Sequence, residues 1–349
     1  MKMSLRLLFV VLGVIFVVTG SALAAAKKPT TVAELALYRG TDRQQILEEG
    51  AKKEGNLVFY TTGTQAKYII AGFTKKYPYI KVEEWRAGGR DFVPRILEEY
   101  QAGRHSVSVL GTSDTSQIML EEAGLLQPFY SPELASIEED AIRKAPSGGV
   151  FSGGHFSSGR GLGWNTKMLT KAEVPKTYQD LLNPKWKGKM AIISEGTGVL
   201  WMGVILKIYG DEFVKKLAQQ DFTVHMVSGR ALNDMIVAGE YALSPTITDS
   251  HVEKSKQSGA PVDWLPLEPV ACNIGQIALP KYSAQPHAAM LYIDYDLSQK
   301  AGEIYKAEGY NSPRKDVVNL RNYKKAYVFS STKQANYLIS YFDKLFLKR

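Results

Sequence analysis

The chain has 349 residues, with 43 Lys and Arg against 35 Asp and Glu for a formal net charge of +8, and Cys272 as its one cysteine. A lone cysteine excludes an internal disulfide, so stability must come from core burial; a chain of this size buries roughly three quarters of its extended surface. The positive excess is thin and densest near the C-terminal end, in "RNYKKAY" and "FDKLFLKR". Without a long basic stripe, no nucleic acid is expected as a partner.

At the start, Lys2 and Arg6 precede an apolar run from Leu7 to Val18, and "TGSALAAA" follows. A basic head, a short apolar core and Ala22-Leu23-Ala24 predict a cleaved signal peptide over residues 1–24. The run is too short to span about 30 Å of hydrocarbon. No cysteine stands near Ala24 to carry a lipid. The expectation is a soluble periplasmic protein.

Beyond the signal, strands and helices alternate. "NLVFYTT" predicts a buried strand, "QAKYIIAGFTKKYP" a helix ending at Pro78, and "IKVEEW" a second strand. "FVPRILEEYQAG" predicts a helix with Pro94 in its first turn and Gly103 beyond its end. "VSVLGTS" is a third strand and "SQIMLEEAGLL" the next helix. This alternation implies parallel pairing with helices on both faces, and in such sheets ligands bind beyond the carboxyl ends of the strands. Those ends are "TTGT" at 61–64, "RAGGR" at 86–90 and "GTSD" at 111–114.

A second unit starts near Gly161. "KMAIIS" is a strand, and "VLWMGVILKIYG" and "DEFVKKLAQQ" are helices. Another helix runs from Arg230 to about Ala238, opened by Ser228-Gly229 and closed by Gly239. "IGQIALP" is a late strand, followed by helices over "AAMLYIDYDLSQKAGEIYKAEG" and "KQANYLISYFDKLFLK". The reading is an α/β protein of two lobes with a cleft between them.

Several stretches carry a resemblance: "AGLLQPF", "GRGLGWNTKML", "PKTYQDLLNPKWKGKMAI" and the late "AAMLYIDYDLSQKAG…SPRKDV". In that order they resemble the periplasmic solute-binding proteins of ABC importers, in the group that includes ferric-ion binders. The resemblance implies a type II periplasmic binding fold, two α/β lobes joined by crossing hinge segments. Lobe 1 is expected over 25–160 and 268–325, and lobe 2 over 161–267 and 326–349. It also implies delivery of a small solute to an ABC permease, without chemistry. Ferric binders of this group use a histidine after the first strand and two adjacent tyrosines after the strand that follows the "GE" turn. This sequence has Thr64 at the first place and Asp249-Ser250 near the second, so a tight ferric site is short of hard anionic oxygens. No metal and no cofactor is assigned.

The candidate ligand residues follow. Ser228, Gly229 and Arg230 stand at a helix start, where free N–H groups stabilise an anion; the bland alternative is an ordinary serine N-cap contributing about 1 kcal/mol. Thr197 and Gly198, in "SEGTG", resemble a second anion loop. Arg160 sits where the family keeps a ligand-facing arginine, and Arg90 follows two glycines. Arginine pairs bidentately with carboxylate or phosphonate oxygens, although a surface ion pair is the alternative for both. The hydroxyls of Thr62, Thr64 and Thr112 would orient the solute. Asp249 either orients a ligand amine or hydroxyl, caps a loop or pairs with Arg160; Ser250 stands beside it. Trp164, Trp201 and Tyr130 could line a cleft but suit apolar core as well. The five histidines are scattered, with no HExxH and no Gly-x-Ser-x-Gly elbow. The expectation is therefore a monomeric binding protein for a small anionic solute, not an enzyme; the alternatives are a metal-ion carrier using Asp249 with an exogenous anion and, behind it, a periplasmic enzyme acting on the bound compound.

Overall fold

The computed structural model describes residues 28–347 apart from Gly88 and Phe329. The signal read over residues 1–24 lies outside the described residues. Helices α1 (Val32–Leu37) and α2 (Arg43–Glu54) lead into β1 (Asn56–Thr61), α3 (Ala66–Lys76), β2 (Lys81–Arg86), α4 (Gly89–Gln101), β3 (Val109–Ser113) and α5 (Asp114–Glu122). The short strands β4 (Leu126–Gln127) and β5 (Ile142–Lys144) precede the 16-residue strand β6 (Val150–Asn165). Next come β7 (Ala191–Ile193), α6 (Glu195–Tyr209), α7 (Asp211–Ala218), β8 (Thr223–His225), α8 (Gly229–Ala238), β9 (Leu243–Thr248), α9 (Asp249–Gln257) and β10 (Val262–Leu265). The chain returns through β11 (Val270–Pro280), α10 (Pro286–Asp296), α11 (Gln299–Ala307) and β12 (Lys325–Ala326), and finishes in α12 (Thr332–Phe346).

The expected parallel unit is present: β1 pairs in parallel with both β2 and β3. The sheet then continues antiparallel through β11 and β6, in the order β10-β6-β11-β3-β1-β2, with β9 also on β6. β7 and β8 form a separate parallel pair.

Two apolar cores flank the crossing strands. One gathers Leu47, Phe59, Phe73, Ile274, Ile277 and Tyr292; the other gathers Leu162, Trp164, Trp201, Leu217, Ala271 and Phe342. Full burial of each large aliphatic or aromatic side chain contributes roughly 1.5–3 kcal/mol. β6 and β11 supply residues to both cores, so they are the segments that join the two halves. β6 is rich in glycine because neighbours approach its backbone closely. A Cβ at Gly159 would lie 2.6 Å from the Tyr323 hydroxyl, and one at Gly161 would lie 2.5 Å from the Trp264 ring.

Two details differ from the sequence reading. α4 begins at Gly89, so Pro94 sits in its second turn rather than its first. The predicted helix over 288–309 is two helices, because the Ser298 hydroxyl accepts from the Ala301 N–H and starts α11 afresh. Trp164 and Trp201 are buried in the second core, Cys272 packs as a small apolar residue, and Tyr130 lies under the Arg39 guanidinium. Among the described residues, no helix is long and apolar enough to cross a membrane.

Candidate functional site

A cavity of about 220 Å³ opens between the two cores. Its walls are built from helix starts. Thr64 and Gln65 stand before α3, Thr112 and Ser113 before α5, Thr197 in the first turn of α6, Gly229 at the first position of α8, and Thr248, Ser250 and His251 at the start of α9. Each α-helix leaves its first N–H groups without intrahelical partners and concentrates partial positive charge there. Five such ends stand around one small space, each bringing partial positive charge toward it.

The local sequence explains why the helices begin where they do. The Ser228 side chain accepts from the Ala231 N–H at 3.2 Å, which satisfies one orphan donor, and Gly239 closes α8 in the left-handed region with φ 83°. Ser113 caps α5 by accepting from Ser116. Thr248 and Gln65 make no side-chain cap bond; in α9 the Ser250 N–H donates to the Asp249 carboxylate at 2.7 Å instead, and in α3 the Tyr68 N–H donates to the Gln65 carbonyl at 3.0 Å.

β6 contributes by alternation. Phe156, Ser158 and Arg160, two residues apart, all line the cavity, as the period of a strand requires. Arg160 is the one charged side chain on the wall among the described residues. Its Nη1 donates to the Ser158 carbonyl at 2.8 Å and to the Ser158 hydroxyl at 2.9 Å, while its buried Nε has no partner. Burial draws its pKa below the usual arginine value, with the Asp249 carboxylate opposing that shift. Thr112 Oγ1, also buried, lacks a partner. Burial pushes the His251 imidazole down to about 4, with Arg230 and Arg160 adding to the effect, so the ring on the wall is neutral at physiological pH. Burial raises the Tyr310 phenol.

Of the residues singled out from sequence, Thr62, Thr64, Thr112, Arg160, Thr197, Gly229 and Ser250 come together on this wall. Four others are adjacent but turned to other tasks. Ser228 caps α8. Arg230 donates to the His251 carbonyl and to the Ser255 hydroxyl, both at 3.2 Å. Gly198 lets the first turn of α6 press on the end of β7, where a Cβ would run into the Ile193 carbonyl oxygen. Asp249 is wholly buried, accepting from the Tyr323 hydroxyl at 2.8 Å and from the Ser250 N–H at 2.7 Å. Burial raises its pKa, against the lowering effects of Arg321 and the Tyr323 bond. Asp249 thus makes its hydrogen bonds within the protein, to Tyr323 and to the amide that follows it. Arg90 is in the first turn of α4, and its side chain lies outside the described residues.

Phe156, Ser158, Thr248, His251, Asn273 and Tyr310 also line the cavity and were missed from sequence. The spacing of Phe156 and Ser158 from Arg160 was a usable signal. Tyr310 carries none, since it arrives from the turn after α11. Among the described residues, no group of three or more His, Cys, Asp or Glu is placed to hold a metal ion.

Comparison with known proteins places this geometry. Residues 68–329 match the model of the bacterial extracellular solute-binding protein family. An uncharacterized protein of Haemophilus influenzae is 25% identical over 272 residues, covering 74% of this chain and 78% of that one. Among solved structures, the periplasmic binding protein AfuA from Actinobacillus pleuropneumoniae, with exogenous fructose-6-phosphate bound, superposes with a TM-score of 0.71 at 21% identity, covering 85% of this chain and 100% of that one. Iron-bound HitA from Pseudomonas aeruginosa gives 0.66 at 19% identity, covering 80% and 92%. The α/β architecture is thus the two-lobed type II periplasmic binding fold, with β6 and β11 among its crossing segments and the cavity in its cleft. The chain belongs to the bacterial extracellular solute-binding proteins, the substrate-binding components of ABC importers.

Proposed function

We propose that this chain captures a small anionic organic solute in the cleft and hands it to an ABC permease of the inner membrane. The observation that carries the proposal is the convergence of five helix starts on a cavity whose one charged wall residue is Arg160. A carboxylate or phosphate placed there meets amide hydrogens and a guanidinium, and the hydroxyls of Thr62, Thr64, Thr112 and Thr197 orient the remainder. The fructose-6-phosphate described for AfuA is a solute of this chemistry. Solute contacts both lobes only when they are closed, so binding shifts an open–closed equilibrium toward the closed form. The division into lobe 1 (25–160, 268–325) and lobe 2 (161–267, 326–349) draws support from the membership of the two cores, with Ala271 of β11 reaching across into the second. The protein works as a monomer in the periplasm after removal of residues 1–24, and it carries its solute without turning it over.

A second reading, a ferric-ion carrier, draws support from the Tyr310 phenol and the neutral His251 imidazole on one wall, and from the iron described for HitA. In that reading the helix starts hold an accompanying anion. Asp249, enclosed by Tyr323 and the Ser250 amide, is not the metal ligand.

Thermal unfolding separates these readings. A ligand at about 100 times its Kd adds about 2.7 kcal/mol of stability. Sugar phosphates and small carboxylates are expected to raise the melting temperature, and a neutral polyol such as glycerol is not. A shift given by ferric citrate and not by citrate alone selects the carrier. Product formed from any hit overturns the reading as a carrier without turnover.

A further inference from the structure

A second cavity, of about 300 Å³, lies on the opposite face of the sheet from the cleft. Asn273 of β11 lines the cleft, whereas Ile274 and Gln276 line this second space, as alternation along a strand requires. The boundary is one residue wide on the neighbouring segment: Ser113 faces the cleft and Asp114, the first residue of α5, faces the second cavity.

The wall chemistry is the reverse of the cleft's. Each of its two bases is paired with a carboxylate: Arg143 Nε donates to Glu121 at 2.5 Å, and Lys144 Nζ to Glu139 at 2.5 Å. Its acceptors are not fully matched. Asp114 takes one hydrogen bond on each oxygen, from Gln276 Nε2 at 2.9 Å and from the Ile274 N–H at 3.2 Å, which leaves further lone pairs. Gln276 is only 1% exposed, and its Oε1 has no hydrogen-bond partner; the buried Tyr327 hydroxyl has none either. A buried amide oxygen without a donor costs about 1–3 kcal/mol, so a donor group placed in the cavity is stabilised at these atoms. The demand is for hydrogen donors and positive charge. The space is too large for a bare ion, and no set of metal-ligating side chains is assembled there among the described residues.

We propose that this cavity is a second binding site, specific for a small organic compound that carries a protonated primary amine. The ammonium group donates to Asp114 and Gln276 Oε1, and its third N–H is directed to the Tyr327 oxygen. Burial holds the Asp114 carboxyl up at about 6, with the Arg143 guanidinium acting against that shift, so it is largely ionised at neutral pH and available to pair. The proposal does not rest on what the cleft carries.

The test is calorimetric titration of the full chain with ethanolamine at neutral pH, with ethylene glycol as the uncharged counterpart. Ethanolamine is expected to bind saturably at one equivalent and ethylene glycol not at all. Asp114→Asn is expected to weaken the binding about tenfold. Tyr327→Phe removes an oxygen that bonds nothing within the protein, so it should melt no lower than the parent yet bind about threefold more weakly. Thr197→Val, in the cleft, should leave the titration unchanged. The proposal is overturned if the parent takes up no ethanolamine, if ethylene glycol binds equally well, if Asp114→Asn and Tyr327→Phe both bind as the parent does, or if Thr197→Val abolishes the uptake.

Discussion

Tyr323 donates a hydrogen bond to Asp249 at 2.8 Å, and Asp249 in turn opposes the burial shift on Arg160. The carboxylate is therefore held inside the protein, where it offsets part of the cost of burying the arginine, while the guanidinium lines the cleft. Replacing Tyr323 by Phe removes one donor from a fully buried carboxylate. Stability should fall by about 1–3 kcal/mol, read from the midpoint of urea unfolding. Affinity for the cleft solute should change far less, because Tyr323 does not line the cavity.

Arg160 itself should be the most sensitive position for binding. Removal of a bidentate, partly desolvated partner in Arg160→Ala should weaken an anionic solute by about tenfold or more. Arg160→Lys should recover little, since an ammonium cannot present the planar fork. Titration calorimetry of each variant against the best solute from the thermal panel measures both, and unchanged affinity in Arg160→Ala removes the residue from the site.

His251 predicts a pH effect with a definite sign. A histidine in an unfolded chain titrates near 6.5, whereas burial holds this one down to about 4. Between those values the unfolded chain binds the extra proton, so the stabilisation is complete above the window and is lost as the pH falls through it. Asp114, raised to about 6, works the opposite way in part of the same window. The measurement is therefore the difference between the parent and His251→Asn. Relative to the variant, the parent should lose roughly 1–3 kcal/mol between about pH 6.5 and 4.

Gly198→Ala should destabilise without touching a ligand. The added methyl meets the Ile193 carbonyl oxygen, a backbone atom that cannot swing aside. The cost belongs at the upper end of the roughly 1–3 kcal/mol of overpacking, seen as a lowered melting temperature. Gly196→Ala, two residues earlier, meets nothing within 4 Å and should be silent.

Much of the fold was legible because its helices and outer strands announce themselves locally. α3, α6 and α8 carry apolar periodicity with recognisable ends, and β1, β2 and β3 are short runs rich in branched and aromatic residues. β6 was not legible as a strand. "VFSGGHFSSGRGLGWN" has poor strand propensity, and it is extended because β11 and β9 pair along it and bulky neighbours press on its glycines. The site divides in the same way. Helix starts leave marks in sequence, and so Thr64, Thr112, Thr197 and Gly229 could be found. The direction of a side chain leaves none: Asp249 and Ser250 are consecutive, yet Ser250 reaches the cavity and Asp249 is enclosed. Tyr310 comes from a distant turn and could be placed only once the chain was folded.

The two long strands shared between the cores bear on how the molecule comes apart. Neither half holds a complete set of its own backbone partners, because extracting one would strip β6 or β11 from the other. Stepwise loss of a half is thereby disfavoured, and heat or protease should meet a single cooperative unit rather than two separable ones.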